Sequence, residues 1–321
     1  MTRARLTALL LLMLSVFAAS ATRADERLAL RFREGQTIKY QYVESVTLHP
    51  PVKLTGVAAD GTLVAKVDYT FKVTKVNPDS SAIVKLRFDR IVVERDGAQI
   101  ADIVDHQIPD DAQDVTATLG INGEVSFYKY IYLTFNPAKM LEFRIVTGGN
   151  AIATHSVSDS SETEVFAADL DMTSGLIRVG LPPTRTVSDP SLNSLAELKL
   201  DLTPRKMYEL LLLPTAPLGR DQRFVVPHRY LAHGVITYQG RADIQGKACE
   251  LVKTTVTPWT EDGAPAPSGD YTPMLSGEVS YYIDKDLGRL VSVSGQLQEL
   301  VRIPGVGEQA ADVKMTLNPR R

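Results

Sequence analysis

The stretch from Leu63 to Thr74 reads LVAKVDYTFKVT and alternates apolar with polar residues at nearly every step. A period of two is typical of a β-strand that turns one face towards a core and the other towards water. The apolar positions of this face are Leu63, Ala65, Val67, Tyr69, Phe71 and Val73. The segment therefore predicts a long, half-buried strand that needs neighbouring strands to be stable.

The same alternation continues on both sides of this strand. Residues 38–48 repeat it, and a turn at residues 77–80 leads to a further strand from Ala82. The parity changes near Arg90, which predicts a β-bulge. Long strands joined by short turns predict antiparallel pairing. Further hairpins are predicted at Gly97 and at Asn122-Gly123.

The C-terminal third consists of short β runs. Turns are predicted at residues 244–247 and 284–288. Residues 257–273 are predicted to form a long, exposed hairpin loop. The predicted strands are Val235–Tyr238, Cys249–Val256, Val279–Ile283, Leu290–Val293 and Val313–Leu317.

Two segments resemble each other and predict the few helices. Each reads as a strand followed by a short helix, over residues 137–143 and 204–213. Asn136 and Thr203 are the expected N-caps, and the prolines that follow suit the first helical position. We interpret the likeness as a sign of internal duplication.

The sequence thus predicts a mainly β protein, with long antiparallel strands forming a curved sheet or half-barrel and a few short helices as lids. We expect a signal peptide over 1–21 and an N-terminal β-rich half over 22–181. A connecting segment with a short helix is expected over 182–227, and a C-terminal β-rich half over 228–321.

The N-terminus has the three parts of a secretory signal. Arg3 and Arg5 precede an apolar run over residues 6–17, and small residues follow it. Cleavage is expected after Ala21, with Ala24 as the second choice. The alternative is a retained membrane anchor, although the run is shorter than the ~20 residues of a membrane span. We therefore expect an exported protein, periplasmic or extracellular, with no transmembrane span after cleavage.

Composition narrows the classes of function. Of 321 residues, 44% are hydrophobic and 23% are charged, as in ordinary folded proteins. There are 35 Lys and Arg against 38 Asp and Glu, so no basic excess is present to neutralise phosphates, and nucleic acid is not expected as a partner. The single cysteine, Cys249, excludes an intramolecular disulfide and a metal site with several thiolates.

The histidines do not form a metal-binding pattern. Only His228 and His233 are close in sequence, and their odd spacing would place them on opposite faces of a strand. We interpret them as surface residues, not as a metal or acid–base pair. The other three are His49, His106 and His155.

Three short motifs stand in the order found in penicillin-binding proteins and serine β-lactamases. They are Ser126-Phe127-Tyr128-Lys129, Ser191-Leu192-Asn193 and Lys253-Thr254-Thr255. That chemistry needs the serine and the lysine one helical turn apart. The first motif is predicted to be a strand, which would point the two side chains to opposite faces, and the third lacks the glycine. We therefore assign no catalytic residues.

Other candidates have structural interpretations. Cys249 heads an apolar strand and is expected to be a small buried side chain, not a nucleophile. Gly148-Gly149-Asn150 is too short to bind phosphate and predicts a turn. An acidic patch lies beside His106, but its spacing does not suit calcium, so we expect a surface loop. Its members are Asp102, Asp105, Asp110, Asp111 and Asp114.

Turn motifs carry one resemblance. The chain resembles bacterial exported β-rich families catalogued as domains of unknown function in the Leu213-Pro214 region, in residues 244–249 and in the turn from Asp284 to Leu290. In the first half, Gly35-Gln36 before the Ile38 strand resembles the same kind of opening. These families are similar to curved half-barrel envelope proteins, some of which carry lipid or lipoprotein. The resemblance implies a role without catalytic residues.

We therefore predict an exported, non-enzymatic cell-envelope protein that binds a lipid or another apolar ligand within the curved sheet. No cofactor, metal ligand or ligand-binding residue is assigned. One alternative is a structural or protein-interaction module with a packed interior and an envelope protein as partner. A hydrolase without a known motif is the other.

Overall fold

A computed structural model describes residues 28–49, 61–136, 140–147, 152–156, 198–213, 221–226, 230–244, 246–260, 273–303 and 307–320. The predicted signal peptide lies outside these residues. So do most of the 257–273 loop, the turn at residues 148–150, His228, Ser191 and Asn193.

Antiparallel β-strands account for most of the described chain, which confirms the predicted fold class. The strands are β1 (Thr37–His49), β2 (Gly61–Val76), β3 (Ala82–Arg95), β4 (Ala98–Val104), β5 (Asp114–Leu119), β6 (Val125–Phe127), β7 (Lys129–Asn136), β8 (Met140–Thr147), β9 (Ile152–Ser156), β10 (Leu198–Asp201), β11 (Gln222–Val225), β12 (Ala232–Ile244), β13 (Lys247–Pro258), β14 (Met274–Asp284), β15 (Arg289–Ile303) and β16 (Gly307–Pro319).

Strands from both ends of the chain form one open, 12-stranded sheet. Its order is β11-β12-β13-β14-β15-β16-β1-β2-β3-β5-β6, and β4 also pairs with β3. The last strand, β16, pairs with the first, β1, so this pair joins the N-terminal and C-terminal strands. A second sheet of four strands has the order β10-β7-β8-β9.

The buried positions of β2 follow the predicted alternation of apolar and polar residues. All six apolar positions between Leu63 and Val73 are buried. The β2–β3 register skips Asp89, which confirms a bulge beside Arg90. The hairpin at Asp96-Gly97 turns with positive φ at both residues, as tight antiparallel hairpins require.

Residues 200–213, here called the plug, show that the large sheet is curved. Hydrogen bonds join the plug both to Thr254 of β13 and to Asn122 in the β5–β6 turn. These two elements are seven strands apart in the sheet, roughly 34 Å if it were flat. The sheet therefore curls around the plug, which lies against its concave face.

Of the two predicted helices, the structure contains one, and the prediction of the other is wrong. Helix α1 (Arg205–Glu209) lies within the plug and is shorter than expected. Pro204 is its N-cap, and the Thr203 hydroxyl instead accepts a hydrogen bond from the Ile131 amide. No helix in the described residues has the length and the apolar character to cross a membrane.

The second predicted helix, over residues 137–143, is replaced by a strand from Met140 onward. Leu141, Phe143 and Ile145 continue the period of two and pair with β7, so the local proline and cap signals are overridden by sheet formation. The two segments that resemble each other in sequence therefore have different structures.

The β5–β6 turn approaches the plug so closely that only glycine fits. Gly123 has φ +87, and a Cβ there would lie 2.1 Å from the Leu211 carbonyl oxygen. We expect Gly123→Ala to lower the free energy of unfolding by about 2 kcal/mol or more in urea titrations.

Gly246→Ala is the matched control for this turn. Gly246 has φ +75, but nothing lies within 4 Å of its Cβ position, so only the conformational cost of ~1 kcal/mol is expected. Equal losses in the two variants would mean that the close contact between turn and plug does not contribute to stability.

Candidate functional site

The plug occupies the place where the sequence predicted an apolar ligand. Seven of its apolar side chains are at most 3% exposed: Leu200, Leu202, Met207, Tyr208, Leu210, Leu211 and Leu213. Burial contributes about 1.5–3 kcal/mol for each, or roughly 10–20 kcal/mol for the set. Because the whole folded state is stable by only ~5–15 kcal/mol, the plug is part of the core and not a loosely held lid.

Polar groups of the sheet fix the plug in position. The Tyr281 hydroxyl donates to the Met207 carbonyl oxygen at 2.8 Å, and the Thr254 hydroxyl donates to the Leu210 carbonyl oxygen at 3.0 Å. These two carbonyls lie at the end of α1, where main-chain acceptors lack helical partners. The sheet thus supplies the hydrogen bonds that the short helix cannot.

A buried ionic cluster joins the plug to β1 and β15. The Lys206 ammonium lies 3.0 Å from Glu44 Oε1, and 3.4 Å from both Asp201 Oδ2 and Glu299 Oε1. We call these four residues the Lys206 cluster. One ammonium has three N–H donors, so it can face all three carboxylates. The Tyr42 hydroxyl donates to Glu44 Oε2 at 3.1 Å.

The charges in the Lys206 cluster do not balance when all four groups are ionised. Burial, with Asp201 nearby, raises the pKa of Glu44 to about 7, although Lys206 opposes this rise. Burial alone would lower the pKa of Lys206, but Asp201, Glu299 and Glu44 together raise it well above its usual value. The lysine is therefore charged at any ordinary pH, and Glu44 titrates near neutrality.

The Lys206 cluster has the geometry of a structural link, not of a reaction centre. The Glu44 side chain is completely buried and the Lys206 side chain is 10% exposed. The cluster links two residues of the plug, Asp201 and Lys206, to one carboxylate of β1 and one of β15. It can hold the plug against two strands and respond to pH.

A small cavity lies at one end of the sheet, under residues 28–36, here called the strap. The Leu30 amide donates to the Ile121 carbonyl, and the Arg31 amide donates to the Gly288 carbonyl, so the strap crosses this end. The cavity beneath has a volume of about 30 Å³ and is lined by residues that include Leu30, Phe71 and Tyr208. That volume suits about one water molecule and not a lipid chain.

The exposed edges of the large sheet are poorly suited to pairing with another strand. The β4 edge is interrupted by a bulge at Ile100, and the β12 edge by a bulge at Gln239. The strands β6 and β11 are only three and four residues long. Bulges and short edge strands are devices that prevent edge-to-edge association.

The described histidines lie on separate elements. His49, at the end of β1, lies 2.9 Å from Asp312, and His233 of β12 lies 2.7 Å from the Thr257 hydroxyl. His106 is exposed in a 3₁₀ turn (Asp105–Gln107), and His155 belongs to β9. Within the described ranges, no group of three or more His, Cys, Asp or Glu side chains could hold a metal ion.

The motif of serine and lysine is divided between two sheets. Ser126 lies on β6, whereas Lys129 lies on β7 and donates to the Asp111 carbonyl oxygen at 2.6 Å. Lys253 pairs with Glu278 at 2.6 Å, and Thr254 bonds to the plug. The described parts of the motif are therefore not assembled into a site.

Cys249 has the predicted structural environment. It is 1% exposed, and burial raises the pKa of its thiol, which disfavours the reactive thiolate.

The acidic patch is interleaved with cations. Asp102 pairs with Arg90 at 2.5 Å, and Asp105 pairs with Arg87 at 2.9 Å. Asp114 pairs with Lys85 at 2.6 Å. Hydrogen bonds from the two arginines lower the pKa of Asp102 and Asp105. Asp102, Asp105 and Asp114 therefore have cationic partners on β3.

Comparisons with known proteins give only weak similarities to solved structures. No family model matches the chain, and no curated protein matches it. Among solved structures it is similar to lipovitellin, studied for lipid–protein interactions, with 11% identity and a TM-score of 0.38 over 91% of this chain. The chain spans only 26% of the length of that lipovitellin chain.

A second similar structure is a β-barrel-like protein of the domain of unknown function DUF1849 from Brucella abortus. It has 10% identity and a TM-score of 0.26, with 89% of this chain and all of that chain covered. Both scores are too low to assign a family or a function.

Proposed function

We propose that the protein is an exported, non-enzymatic component of the cell envelope that acts as a structural or protein-interaction module. The observation that carries this proposal is the filled concave face. A carrier of apolar molecules needs a vacant pocket of several hundred Å³, and the plug occupies that place with its own leucines and Met207. The secretory signal read from the sequence supports the location.

A second candidate is a protein that binds an amphiphile inside the sheet after the plug has moved. One observation favours it: α1 is held by side chains and not by strand pairing, so it could leave without breaking the large sheet. The apolar burial lost would be comparable to the stability of the whole fold. A ligand would have to replace nearly all of those contacts.

Mass spectrometry of the intact protein tests both the proposed export and the absence of a ligand inside the sheet. The full chain is expressed in a Gram-negative host, and the protein from the periplasmic fraction is weighed intact under native and denaturing conditions. We expect a chain that begins at Thr22 or Asp25 and carries no amphiphile. A retained leader would contradict export with cleavage.

The native mass would contradict the proposed structural or interaction module if it included a stoichiometric amphiphile that is lost on denaturation and recovered by lipid extraction. That result would favour the second candidate. Gly123→Ala protein is the matched sample, because its turn would be pushed away from the plug. Amphiphile in that variant alone would show that the plug normally excludes it.

A further inference from the structure

Five basic side chains surround the strap without acidic partners. Arg31, Arg33, Lys39, Lys72 and Lys75 are all exposed, and none forms an ion pair within the described part of the chain. Several cations elsewhere on the surface are paired, as in Lys85–Asp114 and Arg302–Glu308. Arg223, Lys247 and Lys314 are exposed without an ion pair in the described residues, but they lie apart from one another in the chain. The five residues, here called the basic patch, are set apart because they cluster at one end of a chain whose formal net charge is −3.

The strand register brings the basic patch together. The Gly35 amide donates to the Val73 carbonyl at 2.9 Å, so the strap lies beside the end of β2. Thr37 is opposite Lys72, and Lys39 is opposite Thr70, which makes the two lysines diagonal neighbours on the outer face. The acidic residues exposed at this end are Glu34, Asp79, Glu124 and Asp286, and Asp79 accepts hydrogen bonds from Ser81 within its turn.

Two exposed apolar side chains lie next to the basic patch. Ile121 is 40% exposed and Leu287 is 42% exposed, each at the tip of a tight turn. The strap touches both turns through consecutive amides, those of Leu30 and Arg31. Apolar tips beside unpaired cations are the combination that membrane-surface proteins use to enter the headgroup region.

We propose that the basic patch, with Ile121 and Leu287, docks the protein on an anionic lipid surface. Arg33, Lys39, Lys72 and Lys75 are held by no side-chain hydrogen bond in the described residues, so their charges can adapt to a fluid array of headgroups. A protein partner with fixed carboxylates would be matched better by cations in set positions. The inference deepens the proposed envelope role by naming its partner.

The size of the effect follows from simple electrostatics. Each cation near an anionic leaflet increases partitioning roughly five-fold. Replacing two lysines by glutamates removes two attractions and adds repulsion, so binding should fall by about 25-fold or more. Because exposed charges are screened within about 4–5 Å at 0.5 M salt, most of the binding should also be lost there.

The test uses the purified mature protein and sedimentation with lipid vesicles. Vesicles of phosphatidylcholine alone are compared with vesicles containing about 30% phosphatidylglycerol at about 0.1 M NaCl. The variant Lys72→Glu/Lys75→Glu is compared with Arg302→Glu/Lys314→Glu, which makes the same change in net charge away from the strap. Thermal unfolding verifies that both are folded.

We expect the wild type and the control to bind the anionic vesicles and the Lys72→Glu/Lys75→Glu variant to lose at least 25-fold. Ile121→Ser/Leu287→Ser should lose about ten-fold on the same vesicles. Equal losses in the two charge variants, or wild-type binding as strong to soluble heparin as to vesicles, would overturn the proposal. Failure here leaves the export and interior results unchanged, because those are read from mass.

Discussion

Replacing Lys206 with methionine is expected to lower the free energy of unfolding by about 3–5 kcal/mol. The change keeps the length of the side chain but removes the cation that lies within 3.4 Å of Glu44, Asp201 and Glu299. The completely buried Glu44 carboxylate would then lose its ammonium partner, and the largely buried Asp201 and Glu299 would lose the same cation. Urea titration monitored by fluorescence measures the loss.

Lys253→Met is the matched control, because Lys253 pairs with Glu278 at 2.6 Å near the surface. Its cost should be below about 1 kcal/mol, as for other exposed pairs. A double variant, Lys206→Met with Glu44→Gln, should recover part of the loss, since one buried charge is gone. If Lys206→Met costs no more than the control, the cluster does not hold the plug.

The second large effect is a dependence of stability on pH that Glu44→Gln removes. The folded protein holds the Glu44 proton up to a pKa of about 7, whereas the unfolded chain releases it near the ordinary pKa of 4.5. This proton therefore stabilises the folded state fully below pH 4.5, and the stabilisation is lost as the pH rises through about 7. The loss amounts to about 3 kcal/mol.

The measurement is the difference in unfolding free energy between wild type and Glu44→Gln at several pH values from 5 to 8. We expect the unfolding free energy of the wild type to fall relative to that of the variant as the pH rises. Asp102→Asn is the control, because the hydrogen bond from Arg90 lowers the pKa of Asp102 and this carboxyl stays ionised over that range. A constant difference between wild type and Glu44→Gln would contradict the assignment of the titrating group.

The strands could be predicted because their signal is local. The alternation from Leu63 to Val73 and the parity change near Arg90 each determine one stretch of backbone, and both are found in the sheet. The helix predicted over residues 137–143 failed for the opposite reason. Proline and cap residues describe a local preference, whereas the partner strand β7 decides the outcome at Leu141 and Phe143.

The Lys206 cluster was missed, although half of its signal is in the sequence. Glu44 occupies an apolar position of its strand, between Tyr42 and Val46, and Glu299 does the same beside Leu297. A carboxylate on the buried parity of a strand requires a counter-charge. The sequence does not show that this charge is Lys206, because 162 residues separate it from Glu44.

The pairing of β1 with β16 sets an order of events during synthesis. The seam at the centre of the large sheet joins residues about 270 positions apart, such as Val46 and Val313, so it cannot close before the final strand has left the ribosome. Until then the edge of β1 that pairs with β16 has no neighbouring strand. The large sheet can therefore be completed only after β16 has been synthesised, so its closure follows the translation of all the earlier strands.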